Sequence, residues 1–442
     1  MEKRIYKTLD WCHFRIKTTL LKCYKRFYFM KQKYELLAPA GGFPQLRAAI
    51  EAGADAVYLG LKEFNMRATA KNFTLRELSK ASKICRENKV KIYLTLNTIV
   101  YDNEIKKLEN IIKKVKDKVD AIICWDLAVI QLCRKYKIPF HISTQASVSN
   151  IESAKFYKKL GAKRITLARE LSLKQIKKIS KIIDVECFAH GAMCVSISGR
   201  CFTSQFLDKK SANRGQCTHP CRRPYLVIDL TDKSKQLKLE NNRVMSAKDL
   251  CTLPFIEKMK KAGIKAFKIE GRNRPPEYVA VVVREYRKAL DKKLSPKEIK
   301  EGILNLKKVY NRGFSSGFYL GVPTNDDFSS SEHGEQTEKK IFVGRVKKYW
   351  PKIGVAHVEL LAGKLKLGDE VYIIGKETGL IRTKIESMEI NNEKVKVVKK
   401  SQEAGIKLPK CRRGDEIYLI KSAGKENEKE VLKEIEKMLS KR

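Results

Sequence analysis

The chain is expected to fold as an α/β protein, a (β/α)8 barrel of the TIM type followed by a small antiparallel β-barrel. From residue 34 onward, short aliphatic or β-branched runs alternate with amphipathic helical stretches, and eight such runs occur before residue 270. Past about residue 335 the pattern changes to short alternating strands.

The predicted barrel strands are Glu35 to Ala38, Ala56 to Gly60, Lys91 to Leu96, Ala121 to Cys124, Phe140 to Thr144, Arg164 to Ala168, Val185 to Ala189 and Ala266 to Ile269. Helical periodicity lies between them, as at Leu75 to Asn88, Asn103 to Val119, Ile151 to Leu160 and Leu173 to Ile183. Strict alternation implies a parallel sheet, and eight units imply closure. A doubly wound open sheet is the alternative, because one sequence does not reveal strand order.

Residues 1–33 form a basic, aromatic extension without clear period, and Met30 sits just before the ordered pattern, so an upstream mis-start is one reading. Trp11, Cys12 and His13 are then incidental. Residues 34–335 are assigned to the barrel, 336–424 to the β-barrel and 425–442 to an amphipathic C-terminal helix with Val431, Leu432, Ile435, Met438 and Leu439 at helical spacing. In the β-barrel the expected strands are Ile341 to Val346, Val355 to Leu360, Glu370 to Ile374, Thr383 to Ile390 and Glu416 to Ile420. Two G-D-E-[VI]-Y segments, at Gly368 and Gly414, each place a turn before an extended run.

A TIM-type barrel carries its site at the C-terminal strand ends. Asn65 and Arg67, Asn97, Asp126, Gln145 and Asn150, Arg169 and Glu170, His190, and Glu270 with Arg272 follow the proposed strands. Taken singly each is better explained as a helix cap or loop hydrogen bond, a reading that suits Asp126 and Glu170. Taken together they mark one rim. Arg67, Arg169 and Arg272 are suited to gripping a phosphate or a dicarboxylate, or to pairing with Glu170 or Glu270.

In the seventh unit the expected helix is replaced by a long segment with Cys194, Cys201, Cys217 and Cys221. Four thiolates saturate an iron-sulfur cluster or a structural zinc. The spacings x6, x15 and x3 lack the C-x2-C knuckles of zinc ribbons, which favours iron-sulfur and keeps zinc as the alternative. Cys251 is a substitute fourth ligand at a helix start, while Cys85, Cys124, Cys133, Cys187 and Cys411 lie in core-like patterns. His190, four residues before Cys194, reads as a general base, as a partner near the cluster, or as filling of the barrel mouth.

Lys and Arg outnumber Asp and Glu by 93 to 50, a formal charge of +43, which favours a polyanionic partner, with nucleic acid the leading class. A lysine-rich solvated surface explains the same count. No apolar run of about 18 residues occurs, and the apolar piece near the start is broken by Lys22, Lys25 and Arg26. A cytoplasmic protein without membrane contact is expected, with its twelve cysteines reduced.

The run E-C-F-A-H-G-A-M-C ending at Cys194, followed by Gly199-x-Cys201 and Ser204, resembles the signature of the U-thirty-two peptidase, or collagenase-like, family, with Thr203 a mild departure. The likeness continues through E-L-L-A-P-A-G at Glu35, G-A-D-A-V-Y at Gly53, S-T-Q-A at Ser143, L-A-R-E-L-S-L at Leu167, S-A-K-D-L at Ser246, K-I-E-G-R at Lys268 and N-R-G-F-S-S-G-F at Asn311, over roughly residues 34–320. Within the family it is nearest to the tRNA hydroxylation protein P group, which forms 5-hydroxyuridine at the tRNA wobble position. The resemblance implies a 4Fe-4S cluster on Cys194, Cys201, Cys217 and Cys221, prephenate as co-substrate, tRNA as partner, and in some members a paralogous protein partner. Hydroxylation of ribosomal RNA and peptidase activity are the alternatives it leaves open. A peptidase needs an activated nucleophile or a metal-bound water, and no H-E-x-x-H occurs. The hydroxylase reading assigns catalysis to His190, Arg169, Glu270 and Arg272 and substrate binding to Asn65, Arg67, Asn97 and Gln145.

Overall fold

A computed structural model describes residues 34–239, 245–329, 334–423 and 428–440. The N-terminal extension, with Trp11, Cys12 and His13, lies outside these residues. Eight strands form the barrel: β1 (Glu35–Pro39), β2 (Ala56–Gly60), β3 (Lys91–Thr95), β4 (Ala121–Cys124), β5 (Phe140–Ile142), β6 (Arg164–Thr166), β7 (Val185–Gly191) and β8 (Ala266–Ile269). Each pairs in parallel with the next, and β8 pairs in parallel with both β7 and β1. The sheet is therefore closed, and the open doubly wound alternative is ruled out.

Helices α1 (Phe43–Glu51), α2 (Leu75–Glu87), α3 (Ile105–Val115), α4 (Leu127–Lys135), α5 (Ile151–Lys159) and α6 (Leu173–Ile179) fill the first six crossovers. Their starts are set by caps that the sequence carries: Thr74 and Ser172 form capping boxes with Glu77 and Gln175, and the side chains of Asp126 and Asn150 accept from Ala128 and Ser153. Asp126 and Asn150 are thus caps rather than site residues. Glu170 caps no helix; it accepts from the Ser198 N–H at 3.2 Å and ties the cysteine segment to the β6 end.

Several predicted ends move by a residue or two. Strand β5 stops at Ile142, because Thr144–Ala146 tightens into a 3-10 turn closed by Ser147 in the left-handed region. The seventh crossover keeps a short helix, Ile256–Lys261, after the cysteine segment, and buries Ile256 and Met259.

The outer faces of the strands and the inner faces of the helices make one apolar core, with Leu36, Val57, Leu59, Ile92, Leu94, Ile122 and Phe267 at its centre. The lumen is filled differently. Arg164 on β6 reaches Glu35 on β1, which also accepts from Tyr93 on β3 at 3.0 Å. Lys268 on β8 meets Glu186 on β7 at 2.8 Å and lies over the Tyr58 ring of β2 at 4.6 Å. Contacts between non-neighbouring strands can only cross the barrel, so a charged layer plugs it.

Residues 338–422 form an eight-stranded antiparallel sheet around Val343, Val358, Leu360, Val371, Ile373, Ile406 and Ile417, with Lys364–Lys366 and Val397–Lys399 paired separately. The two G-D-E turns are equivalent: Asp369 and Asp415 each accept the N–H three residues earlier, at 2.7 and 2.8 Å. The strands they launch, Glu370–Gly375 and Glu416–Ser422, pair with each other. The single strand expected over Thr383 to Ile390 is two, Gly379–Lys384 and Met388–Ile390, and Glu403–Lys407 is an additional one. The last helix, Glu428–Leu439, returns to the α/β barrel, burying Val431 and Met438 in its core and pairing Glu434 with Lys307 at 3.0 Å. Among the described residues no helix is long and apolar enough to cross a membrane.

Candidate active site at the barrel mouth

Above the charged layer, the C-terminal strand ends gather the expected rim. The loop after β2 brings in Asn65 and Arg67, the end of β3 brings Asn97, the turn after β5 brings Gln145, and the end of β8 brings Glu270 and Arg272. Arg67 donates from Nη2 and Nε to Glu270 Oε1 at 2.9 and 3.2 Å. Arg272 donates to Asn65 Oδ1 at 2.7 Å and to Thr95 Oγ1 at 2.9 Å, both neutral acceptors. Gly60 makes this possible, since a Cβ there would sit 2.2 Å from the Arg272 guanidinium. Asn97 Nδ2 lies 3.4 and 3.5 Å from Ser143 Oγ and Gln145 Oε1, long contacts that leave its donors open to a ligand.

Arg169 donates to the Ala192 carbonyl at 2.8 Å and stacks on Phe188 at 3.8 Å, so it holds the start of the cysteine segment over the mouth. Gly215 docks the far end of that segment. Its carbonyl accepts from Ala68 N at 3.1 Å, its φ is +85°, and a Cβ would lie 2.4 Å from the Asn65 carbonyl oxygen. The four cysteines lie in this docked segment. Burial pushes the Cys221 thiol up against the pull of Arg222, and the nearby Cys194, Cys217 and Cys201 add to the rise. Cys194 also acts on Arg67, which ties the group to the rim. The sulfurs have hydrogen-bond donors: Thr203 N–H to Cys201 at 3.5 Å, and His219 N–H and Ser204 Oγ to Cys217 at 3.4 and 3.7 Å. Among the described residues no three His, Cys, Asp or Glu side chains stand close enough to share a single ion.

Two expected residues are elsewhere. Cys251 ends the strand Asp249–Cys251 rather than starting a helix. It is fully buried under the Tyr286 hydroxyl (3.7 Å), and burial raises its thiol to about 12. His190 does not face the mouth. A β-bulge places an extra residue in β7 opposite Lys268 and Ile269, which breaks the two-residue alternation of Glu186 and Phe188. The ring turns toward Tyr278 and Tyr286 of the helix Pro276–Asp291 and toward Phe314, with centroids 6.1, 5.5 and 5.5 Å away. Burial, helped by Arg274, lowers it to about 3 and keeps it neutral. The ring is thus packed among aromatic side chains, in the place that the filling reading of His190 describes.

Other residues enter the site that strand-end reasoning passed over. His219, inside the N-R-G-Q-C-T-H-P-C run, lies in the field of Arg222, Arg67, Arg312 and Glu270, and burial with those arginines lowers it. Arg222, Arg274 and Arg312 surround Asp249, whose acidity burial nonetheless weakens. Burial raises Glu270, yet Arg67, Arg274 and Arg169 outweigh it and hold the carboxylate below its usual range. Six guanidinium groups thus act on Glu270 and Asp249, with Glu170 a third carboxylate at the β6 end. Burial brings Arg272 down to about 10, still cationic at neutral pH. The mouth is built to receive an anion.

A G-x-S-x-G pattern occurs at 313–317, the sequence form of a nucleophile elbow. Its Ser315 is buried on the short strand Phe314–Ser315, donates to Asp327 Oδ1 at 2.6 Å and accepts from Gly317 N–H. It is a structural turn.

The model of Peptidase family U32 matches residues 41–328. An uncharacterized protease of Methanocaldococcus jannaschii is 42% identical over 88% of this chain and 98% of its own length. A collagenase of Porphyromonas gingivalis is 40% identical over 87% and 97%. The tRNA hydroxylation protein P1 of Bacillus subtilis is 36% identical over 78% and 84%. The chain belongs to Peptidase family U32.

Proposed function

We propose that this protein is an RNA-modifying hydroxylase of the cytoplasm, forming 5-hydroxyuridine at the wobble position of tRNA. The observation that carries the reading is the pairing, on one rim, of four thiols with an arginine set that exceeds its carboxylates. Its relative in Bacillus subtilis is named for tRNA hydroxylation.

Cys194, Cys201, Cys217 and Cys221 are proposed to hold a 4Fe-4S cluster. The spacings x6, x15 and x3 lack the paired C-x2-C knuckles of zinc ribbons, which favours iron-sulfur over zinc. Each thiolate of a cluster takes its own iron, and N–H donors to sulfur are its usual company. When bound, such a cluster would supply electron transfer. Replacing C5–H of uridine by C5–OH removes two electrons and adds an oxygen atom, which acid-base groups alone do not accomplish. The chain's own residues bind and orient. In this reading Arg67 and Arg272 grip a dicarboxylate such as prephenate, Asn97 and Gln145 offer amides to a base edge, and Glu270, which accepts from Arg67, orients it.

Peptidase chemistry, which the names of two relatives invite, needs a nucleophile beside a base. His141 and His190 are both buried and lowered to about 3, facing Tyr93 and Tyr286, Ser315 is committed to Asp327, and His219 adjoins the thiols that this reading gives to the cluster. The test is nucleoside mass spectrometry of tRNA from a strain lacking the gene. Loss of 5-hydroxyuridine, restored by the wild-type gene and not by Cys194→Ala, is expected. Unchanged tRNA with altered ribosomal RNA nucleosides would overturn the tRNA assignment.

A further inference from the structure

We propose that Phe202 and Phe206, with a basic groove between the loop after β2 and α2, form a binding site for the unpaired RNA nucleotides flanking the target base. This rests on the RNA reading above.

The helix Thr203–Asp208 directly follows Cys201. Its inner face is occupied: Ser204 Oγ bonds Cys217 and accepts from Thr218 N–H, and Asp208 bonds Thr218 and Arg223. Phe202 and Phe206, four residues apart, share the other face and are 62% and 85% exposed. Their centroids lie 6.5 Å apart with the planes tilted by 58°, so they do not cover each other. Two phenylalanines left in water beside a site contribute nothing to the core and mark an interaction surface. The cations Arg200, Lys209 and Lys210 flank them in sequence.

The second element is a groove of about 560 Å³ lined by Lys62, Lys71, Arg76 and Lys80. Its one acid, Glu77, is engaged in the Thr74 capping box. It is formed by the loop that carries Asn65 and Arg67 and by the first turns of α2, and Ala68 of that loop bonds Gly215 of the cysteine segment. The segment carrying the two rings and the loop that lines the lysine groove are therefore tied to each other by a backbone hydrogen bond. Exposed rings stack on bases of any identity, and lysines take the phosphates between them. A protein interface would deplete lysine around its apolar centre, so the charge favours a single-stranded RNA segment.

The experiment is fluorescence anisotropy of a fluorescein-labelled anticodon-like RNA stem-loop with the full-length, anaerobically purified protein, over a range of salt. Phe206→Ala is expected to weaken binding about tenfold, and Phe206→Trp to retain it, the stacking of one base being of that size. Lys71→Ala with Lys80→Ala should lower the salt slope by about 1.4, two phosphates' worth on a single strand, and Phe206→Ala should leave the slope unchanged. Wild-type binding that Phe206→Ala does not alter overturns this site and leaves the hydroxylase reading standing. Wild type that does not bind the stem-loop overturns both. A dimer or hetero-oligomer that Phe206→Ala dissociates, with RNA affinity unchanged, overturns the site in favour of a protein interface.

Discussion

The lumen of the barrel and its mouth are both lined by charge, and they differ in how that charge is balanced. In the lumen Glu35 and Glu186 face Arg164 and Lys268, each acid meets a base, and the side chains lie almost out of water. At the mouth arginines outnumber carboxylates, and Arg272 rests on neutral acceptors alone. A closed, neutral set holds a fold together, whereas an open, cationic set near solvent waits for a ligand. Identical residue types do opposite work according to what balances them.

The largest effect is expected from breaking the closed set. Lys268→Met leaves Glu186 buried with Arg164, at 3.5 Å, as its one cation and the Thr166 hydroxyl at 2.9 Å, and should destabilise the barrel by about 3–5 kcal/mol, read by urea unfolding. A loss under about 1 kcal/mol would show that the lumen layer is not dry.

Acid should strain the same layer next. His141 is lowered to about 3 by burial and by Arg164, and Glu35 to about 2, where Arg164 and Lys91 overcome burial. The unfolded chain takes up protons that the native barrel refuses, so stability falls as pH drops from about 6.5 toward 3 for the histidine and from about 4.5 toward 2 for the glutamate. Thermal melts across that window check it; a flat profile contradicts it.

At the mouth Arg67→Gln should raise the KM for an anionic substrate about tenfold or more, the worth of a charge-assisted hydrogen bond, with stability changed by about 1 kcal/mol or less. An unfolded variant would place Arg67 in the structural set instead. The smallest effect belongs to neither region: Ser295→Ala removes the cap of the helix Pro296–Lys308 and should cost about 1 kcal/mol with activity unchanged.

The eight strands were legible because each is a short apolar run bounded by turn residues and helical periodicity. The polar rim was legible because strand ends were. The lumen was not: Glu35, Arg164, Glu186 and Lys268 sit on strands where a charge reads as a solvated face, and only closure makes that face an interior. His190 was misplaced for a local reason, since no residue near Ala189 announces a bulge. Arg222, Arg274 and Arg312 come from segments beyond strand ends and reach the mouth through the cysteine segment and the turns after β8 and Asn311. In the second domain Glu403–Lys407 escaped notice because its run is short and interrupted by Gly405.

The central claim is that the four cysteines over an arginine-rich mouth hold a redox centre. Iron and acid-labile sulfide in the anaerobically purified protein, with absorption near 400 nm, test it most directly. The account predicts about four of each per chain, lost on replacing any of Cys194, Cys201, Cys217 or Cys221 by alanine and kept in Cys251→Ala. Zinc in place of iron, or iron that survives those replacements, would contradict it.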